Sequence, residues 1–162
     1  MYNGAITKPF QDSLSIGQKY EDWFASYLLK KYGGTIKRPF QFERKYWDLY
    51  STATRRYYEI KSDGKSKYTG NLGIEFQYRG NPSGLFATKA DYWVHFFWRN
   101  KSARPTCVVF YTKDLRAEIH SFYSIRGGDN NASKMFLIPI VKLETLSSVF
   151  DIIENVEIEE RS

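Results

Sequence analysis

The chain has 162 residues, a formal net charge of +6 and one cysteine, and 42% of its residues are apolar and 18% aromatic. This length predicts one domain, and the aromatic content argues against a disordered chain. A lone cysteine excludes an internal disulfide and a cysteine metal cluster, and the apolar runs are too short to span a bilayer, so no membrane partner is expected. Because the N-terminus lacks a secretory signal pattern, a cytoplasmic location is expected, in a host cell if a virus encodes the protein.

The positive charge is concentrated in the middle of the chain. Residues 37–116 carry 16 Lys/Arg against seven Asp/Glu, whereas residues 117–162 carry four against eight. A basic segment of this kind suits a polyanionic partner such as a nucleic acid. A solvated basic surface would show the same charge, so charge alone leaves both interpretations open.

The first organised segment is an amphipathic helix. Apolar residues recur at helical spacing over residues 16–28, Ser13 or Ser15 suits the N-cap, and Gly33 and its neighbour end the helix. In this pattern Glu21 lies at the edge of the apolar stripe. A carboxylate at such a position calls for an explanation.

Short strands separated by turns follow the helix. Residues 46–52 and 54–62 predict a hairpin that turns near Ala53, and the stretch "SDGKSKYTGN" after it predicts a polar loop. Pro139 in the last predicted strand indicates an edge strand. The other predicted elements are strands at 35–42, 72–79, 91–99, 105–112 and 135–141, a helical turn at 85–90, a second helix at 112–125, and a terminal short helix with an acidic tail. This order predicts an α+β or mixed α/β sandwich.

The predicted hairpin carries the residues that suggest chemistry. Glu59 and Lys61 are two apart on a strand and share a face, which Asp48 on the partner strand can reach. Two carboxylates and the carbonyl of Ile60 form an oxygen-rich site that suits Mg²⁺. Such an ion polarises a phosphate and activates a water, which Lys61 would orient or activate. The pattern predicts metal-dependent hydrolysis of a nucleic-acid phosphodiester.

These residues resemble the PD-(D/E)XK nuclease superfamily, which has the restriction-endonuclease-like fold. The resemblance rests on Glu21 in the first helix, Trp47-Asp48, the "EIK" of Glu59–Lys61 and the trailing strand "IEFQ". The run "GNLGIEFQYRGNPSGLFATKADYWVHF" looks like small phage-encoded members. Trp47 stands where the superfamily pattern has Pro, a position that is loosely held there. The resemblance covers roughly residues 14–98 and implies a central mixed sheet flanked by helices.

The resemblance implies a Mg²⁺-dependent (or Mn²⁺-dependent) endodeoxyribonuclease with DNA as its partner and no small-molecule cofactor. In this interpretation Asp48, Glu59 and the Ile60 carbonyl bind the metal, Lys61 orients or activates the water, and Glu21 is a helper carboxylate. The whole chain would be a single nuclease domain, with its last part, residues 117–162, as a C-terminal extension of unassigned role.

Further residues are expected to support the site or to hold DNA. By resemblance Glu75 and Gln77, which share a face of the next predicted strand, would supply a third carboxylate and a water-holding amide; otherwise they are its polar face. His95, inside an apolar run, is expected to be a core histidine. The DNA-binding candidates are Lys65 and Lys67 in the polar loop, Arg55 and Arg56, the possible phosphate binders Ser83, Thr88 and Lys89, and the basic residues Lys37, Arg38, Arg44 and Lys45.

Three alternatives stay open. The first is a structure-specific nuclease of the same fold, such as a Holliday-junction-resolving enzyme, which would read DNA shape instead of bases. The second is an exonuclease or an RNA-directed member. The third is a non-catalytic DNA-binding or assembly protein that keeps the fold. Cutting both strands would require two active sites and hence a homodimer, whereas a monomer would nick.

Overall fold

A computed structural model describes residues 8–159, apart from the side chains of residues 8–15 and of Asp129. Its first element is a long helix, α1, which spans Lys8–Tyr32. The predicted N-cap at Ser13 or Ser15 is wrong, because the helix begins upstream of both. The prediction followed the apolar stripe, and the first turns precede that stripe. The predicted end is confirmed, since Gly33 has a φ of +75° and donates its N–H to the Leu29 carbonyl.

The described residues form ten strands. They are β1 (Ile36–Lys37), β2 (Leu49–Ser51), β3 (Arg56–Asp63), β4 (Asn71–Tyr78), β5 (Asn81–Pro82), β6 (Tyr92–Phe97), β7 (Thr106–Tyr111), β8 (Ser124–Gly127), β9 (Ser133–Pro139) and β10 (Val149–Ile153). Six of them make the main sheet, in the order β1-β2-β3-β6-β7-β10. The β2–β3 hairpin is confirmed, and β6 runs parallel to β3 while the other neighbours are antiparallel. The fold is therefore mixed α+β with a central mixed sheet, as predicted.

The second sheet has four antiparallel strands, in the order β5-β4-β9-β8. The edge position predicted from Pro139 is wrong, because β9 lies between β4 and β8. Pro139 is the last residue of β9, and the pairing of β8 with β9 ends three residues earlier, at Ser124 and Phe136. No strand bond is lost by the missing N–H, so proline is tolerated in an interior strand.

The helices besides α1 are short. Helix α2 (Ser66–Thr69) is a single turn inside the predicted polar loop, and α3 (Thr112–Glu118) is shorter than predicted because a 3₁₀ turn and β8 follow it. Further 3₁₀ turns lie at Gln41–Glu43, Gly84–Phe86 and Ile140–Thr145. No helix in the described range is both long enough and apolar enough for a membrane span.

Two cores pack on opposite faces of the main sheet. Residues of β6 alternate between them: Val94 and Phe96 pack with α1, whereas Trp93 and Phe97 pack with the second sheet and α3. The same alternation in β3 directs Ile60 toward α1. It directs the intervening odd-numbered residues of β3, Glu59 and Lys61, to the face shared with the second sheet.

The segment after residue 117 is part of both sheets. Strand β9 pairs with β4 along its whole length, and β10 pairs with β7 at the edge of the main sheet. The sequence predicted only a short helix and an acidic tail at this end of the chain. That prediction is incomplete, because β10 lies between them. Glu118 fixes the approach to β10 by accepting hydrogen bonds from the hydroxyls of Ser147 (2.8 Å) and Ser148 (2.7 Å).

The 3₁₀ turn at Gly84 packs closely on β4, and its glycine is expected to be required. Gly84 has a φ of +49°, and a Cβ there would overlap the carbonyl oxygen of Glu75. Gly84→Ala should therefore lower the free energy of unfolding by at least about 2 kcal/mol, measured by urea titration.

Gly17→Ala is the matched control for this substitution. An added Cβ at Gly17 meets nothing within 4 Å, and the residue lies inside α1. The control should raise the free energy of unfolding by about 0.5–1 kcal/mol, since alanine favours a helix over glycine. Equal effects of the two substitutions would contradict the close packing at Gly84.

Candidate active site

The site lies where the pairing of β2 with β3 stops. The last paired residues are Leu49 and Tyr58, and the Asp48 N–H donates to the Tyr58 carbonyl at 2.9 Å. The Asp48 carboxylate takes the next position along β3, where its Oδ2 accepts the Ile60 N–H at 2.7 Å. The N–H and C=O of one strand residue point to the same side. The Ile60 carbonyl therefore faces the same open edge as the Asp48 carboxylate.

The neighbouring carboxylate, Glu59, is buried and held from two directions. The Oε1 atom of Glu59 is 3.2 Å from the Lys61 ammonium, and its Oε2 atom is 3.2 Å from the Thr88 hydroxyl. The Thr88 hydroxyl is also 2.9 Å from the Tyr46 carbonyl and accepts the Ala90 N–H. Because a hydroxyl has one hydrogen, Thr88 donates either to Glu59 or to Tyr46 at any moment.

Burial dominates the electrostatics of the two carboxylates. Burial raises the pKa of Glu59 to about 7; the Asp48 charge adds to the rise, and Lys61 opposes it. Burial also raises the pKa of Asp48, against the Ile60 N–H and Lys61, which lower it. The two acids therefore form a poorly solvated pair that a divalent cation would stabilise.

Lys61 remains a cation in this setting. Burial by itself would lower its pKa, but the Glu59 and Asp48 carboxylates outweigh that effect, and its pKa is raised. Its side chain is 43% exposed, so the ammonium reaches both the buried Glu59 and the solvent. A protonated, accessible ammonium can donate hydrogen bonds to a water or to a phosphate oxygen.

Glu21 on α1 lies near Asp48 and is paired with Arg38. The Arg38 guanidinium is 3.4 Å from Glu21 and 3.0 Å from Asp22. Burial, and then the Asp48 charge, raise the pKa of Glu21 to about 7. The structure thus brings Glu21 within electrostatic reach of Asp48, with Arg38 beside it.

The donor set fits Mg²⁺ or Mn²⁺. No three His, Cys, Asp or Glu side chains of the described residues gather in a metal-binding group. Mg²⁺ commonly needs fewer protein ligands, since it keeps several waters and takes one or two carboxylates. Asp48, Glu59 and the Ile60 carbonyl offer oxygen donors at one strand edge, and one Asp48 oxygen already anchors the carboxylate on the Ile60 N–H.

Of the two supporting residues on β4, Glu75 lies within electrostatic reach of Lys61, and Gln77 does not share its face. Glu75 accepts hydrogen bonds from the hydroxyls of Ser83 (3.0 Å) and Ser133 (2.8 Å), and its charge raises the pKa of Lys61. A bulge separates Glu75 from Gln77, whose strand partners are the adjacent residues Met135 and Lys134. Adjacent strand residues face opposite ways, so the predicted common face is wrong.

The basic residues proposed for DNA binding lie around the site and not in it. Arg55 and Arg56 are exposed at the hairpin turn, and Arg56, the first residue of β3, is about 13 Å along the strand from Ile60 at the usual strand rise. Lys65 and Lys67 lie beyond the other end of β3, with the Lys67 ammonium 5.5 Å from the Trp98 ring centre. Lys37, Arg44, Lys45 and Lys89 are exposed.

Two residues predicted to bind phosphate have other partners. Thr88 is buried, and its hydroxyl is shared between Glu59 and Tyr46, so it supports the site from inside the protein. The Ser83 hydroxyl donates to Glu75. The sequence pattern "SGLFATKA" could not separate a phosphate contact from an internal one, because both use hydroxyl donors.

Two aspartates join the strands of the site; sequence reasoning missed Asp63 and expected Asp91 only to cap or orient its own segment. Asp63 accepts the Gly73 N–H at 2.8 Å and so connects β3 with β4, and Asp91 accepts the Tyr57 N–H at 2.8 Å where β6 begins beside β3. His95 is buried as predicted. Its Nδ1 accepts the Trp93 indole N–H at 3.2 Å, and its Nε2 lies 3.6 Å from the Asp63 carboxylate.

The chain was compared with protein-family models, with curated proteins and with solved structures, and none of the three comparisons gave a match.

Proposed function

We propose that this chain is a Mg²⁺-dependent endonuclease that hydrolyses DNA phosphodiester bonds. One observation carries the proposal: the Glu59–Lys61 pair lies on one face of β3 while Asp48 is anchored on the Ile60 N–H at the open edge of the same strand. A buried and a half-buried acid with raised pKa values beside an accessible ammonium are typical of a functional site more than of a structural ion pair. The basic segment over residues 37–116 supports a polyanionic substrate.

Each group of the site has a distinct role in this proposal. A divalent ion held by Asp48, Glu59 and the Ile60 carbonyl would supply a Lewis acid for the phosphate and lower the pKa of a bound water. Lys61 keeps its proton and donates from Nζ to the attacking water or to the phosphate oxygen on which charge develops. Thr88 and Lys61 hold the Glu59 carboxylate from two directions, and the Ile60 N–H holds Asp48.

Glu21 is placed to adjust the charge of the site. Its carboxylate is in contact with Arg38 and within electrostatic reach of Asp48. We assign it the role of a positioning residue, since it acts on Asp48 and on Arg38 and not on the reacting phosphate. Exposed cations around the site, among them Arg44, Lys45 and Lys89, would hold the DNA backbone.

Cleavage of a covalently closed plasmid tests the proposal. The wild-type protein should nick or linearise the plasmid with Mg²⁺ and leave it intact with EDTA. Cleavage of a circle identifies endonuclease action, since a circle has no end. Asp48→Asn keeps an oxygen that can accept the Ile60 N–H but loses the carboxylate charge, and should slow cleavage by about 100-fold or more.

Asp114→Asn is the matched control, since Asp114 is an exposed aspartate on α3. It should cleave like the wild type. Absence of metal-dependent cleavage of plasmid, linear duplex and junction DNA by the wild type, or cleavage of RNA alone, would overturn the proposal. Equal rates for Asp48→Asn and Asp114→Asn would remove Asp48 from the site.

A further inference from the structure

Two phenylalanines stand in solvent on the segment that leads into the site. The side chains of Phe40 and Phe42 are 72% and 74% exposed. Their rings are nearly parallel, with an angle of 8° and 6.0 Å between ring centres. Two adjacent aromatic rings left in water forgo the stabilisation that burial would give them.

The segment that carries the two exposed rings is held in place by hydrogen bonds. The segment forms the 3₁₀ turn Gln41–Glu43, and the Glu43 carboxylate accepts the Phe40 N–H at 3.2 Å. The Tyr46 N–H donates to the Glu43 carbonyl at 2.8 Å, and the Tyr46 carbonyl accepts the Lys89 N–H at 2.8 Å. The turn is therefore fixed to the wall of the site that contains Thr88, and it holds both rings outward.

Cations that act on the site lie before and after the two rings in the chain. Arg38 and Arg44 flank the turn in the chain, and both lower the pKa values of Asp48 and Glu21. The ammonium groups of Lys45 and Lys89 lie 4.9 Å and 4.1 Å from the centre of the Tyr46 ring. Proteins bind single-stranded nucleic acids through aromatic rings, on which bases stack, and through cations, which pair with phosphates, and the segment of residues 38–46 carries both.

We propose that the Phe40–Phe42 pair stacks on unpaired bases next to the scissile phosphate, so that the enzyme selects DNA with an unpaired segment over continuous duplex. In a continuous duplex the bases stack on one another and present only their edges in the grooves. A ring face can therefore meet a base face only at a duplex end or where the duplex is open, and the two DNAs compared below have the same ends. This inference rests on the proposed nuclease function and names its substrate class: bubbles, flaps and junction centres.

Binding measured without cleavage tests the inference. Fluorescence anisotropy in EDTA compares a duplex with the same duplex containing a short unpaired bubble. The wild-type protein should bind the bubble about tenfold more tightly, which is within the range for stacking of one or two bases on aromatic side chains. 2-Aminopurine placed in the bubble should be quenched on binding, as stacking quenches its fluorescence.

Matched substitutions separate stacking from apolar contact. The double variant Phe40→Leu/Phe42→Leu keeps apolar side chains and should lose the preference for the bubble, whereas Phe40→Tyr/Phe42→Tyr keeps the rings and should retain it. Tyr123→Ala removes an aromatic side chain that is 87% exposed on the segment before β8, and should leave the preference unchanged. A leucine variant that retains the preference would overturn the inference.

The experiment also distinguishes failure of the inference from failure of the proposed function. Ring-dependent bubble binding by a protein that cuts no DNA would support stacking of unpaired bases on the Phe40–Phe42 pair and reject the nuclease. Plasmid cleavage without any bubble preference would support the nuclease and reject the inference. If sedimentation shows a wild-type dimer that the leucine variant dissociates, with equal binding of both DNAs, the pair is a contact between two copies of this chain and the inference is overturned.

Discussion

Lys61→Ala is expected to slow metal-dependent DNA cleavage by about 100-fold or more, the loss seen when one preorganised donor is removed from a developing negative charge. The substitution deletes the ammonium that lies 3.2 Å from Glu59 and reaches the solvent beside Asp48. DNA affinity with Ca²⁺ in place of Mg²⁺ should change little, because one of many cations is lost. Single-turnover cleavage at saturating protein measures the chemical step directly.

Lys65→Ala and Lys61→Arg are the controls for this prediction. Lys65 is an exposed lysine just after β3. Its removal should weaken DNA binding only slightly and reduce the salt dependence of binding, without changing the single-turnover rate. Arginine at position 61 keeps the charge but replaces a compact ammonium by a planar fork, so it should restore part of the rate. Cleavage by Lys61→Ala at the wild-type rate would remove Lys61 from the mechanism.

The fold could be predicted where the local signal was strong. Helix α1 and the β2–β3 hairpin follow from apolar spacing and turn residues within one segment of chain. Strand β10 could not be found in this way, because a bulge between Val149 and Asp151 breaks its alternation and its partner β7 is distant in the sequence. The interior position of Pro139 depends on where β8 stops, which no local pattern encodes.

The candidate site could be predicted in its residues but not in its connections. The spacing of Glu59 and Lys61 on one strand places them on one face. The anchoring of Asp48 on the Ile60 N–H depends on β2 beginning at Leu49, and the burial of Thr88 against Glu59 depends on packing between distant segments. Such contacts are tertiary, so a single sequence without homologues does not contain a readable signal for them.

Glu59→Gln is expected to abolish cleavage and, in EDTA, to stabilise the fold at about pH 8. The carboxylate is buried, and its pKa rises from 4.5 to about 7 in the folded protein. Glutamine resembles the protonated acid: its carbonyl can accept from Lys61 and its amide can donate to the Thr88 hydroxyl. The variant therefore keeps the contacts of the neutral form and never acquires the buried charge.

The sign of the pH dependence follows from the raised pKa. A folded-state pKa above the unfolded value means that the folded protein holds the proton more tightly, so the stabilisation is complete below pH 4.5 and is lost as the pH rises through 7. Wild type and Glu59→Gln should be equally stable at about pH 4, and the variant should be more stable by up to about 3 kcal/mol at about pH 8. Urea titrations in EDTA at several pH values measure this difference.

Glu154→Gln is a control for which the stability difference from the wild type should have the opposite sign at about pH 8. Glu154 accepts hydrogen bonds from Arg99 and Thr106, and the Arg99 contact foremost lowers its pKa. Its stabilisation is present above the unfolded pKa and is lost as the pH falls through the folded pKa. Glu154→Gln should therefore be less stable than the wild type at about pH 8 and equal to it in acid. A stability difference for Glu59→Gln that does not change with pH would contradict the buried charge.

The effect of added Mg²⁺ on the Tm tests whether the buried Glu59 carboxylate binds the metal. An ion that binds only the folded protein stabilises it in proportion to the logarithm of its concentration above the Kd. Mg²⁺ should therefore raise the Tm of the wild type at about pH 8 and leave the Tm of Glu59→Gln unchanged. A buried carboxylate that weakens the fold without the ion and strengthens it with the ion is the stability–activity trade-off expected of a metal site. Equal Mg²⁺ responses of the two proteins would place the ion elsewhere.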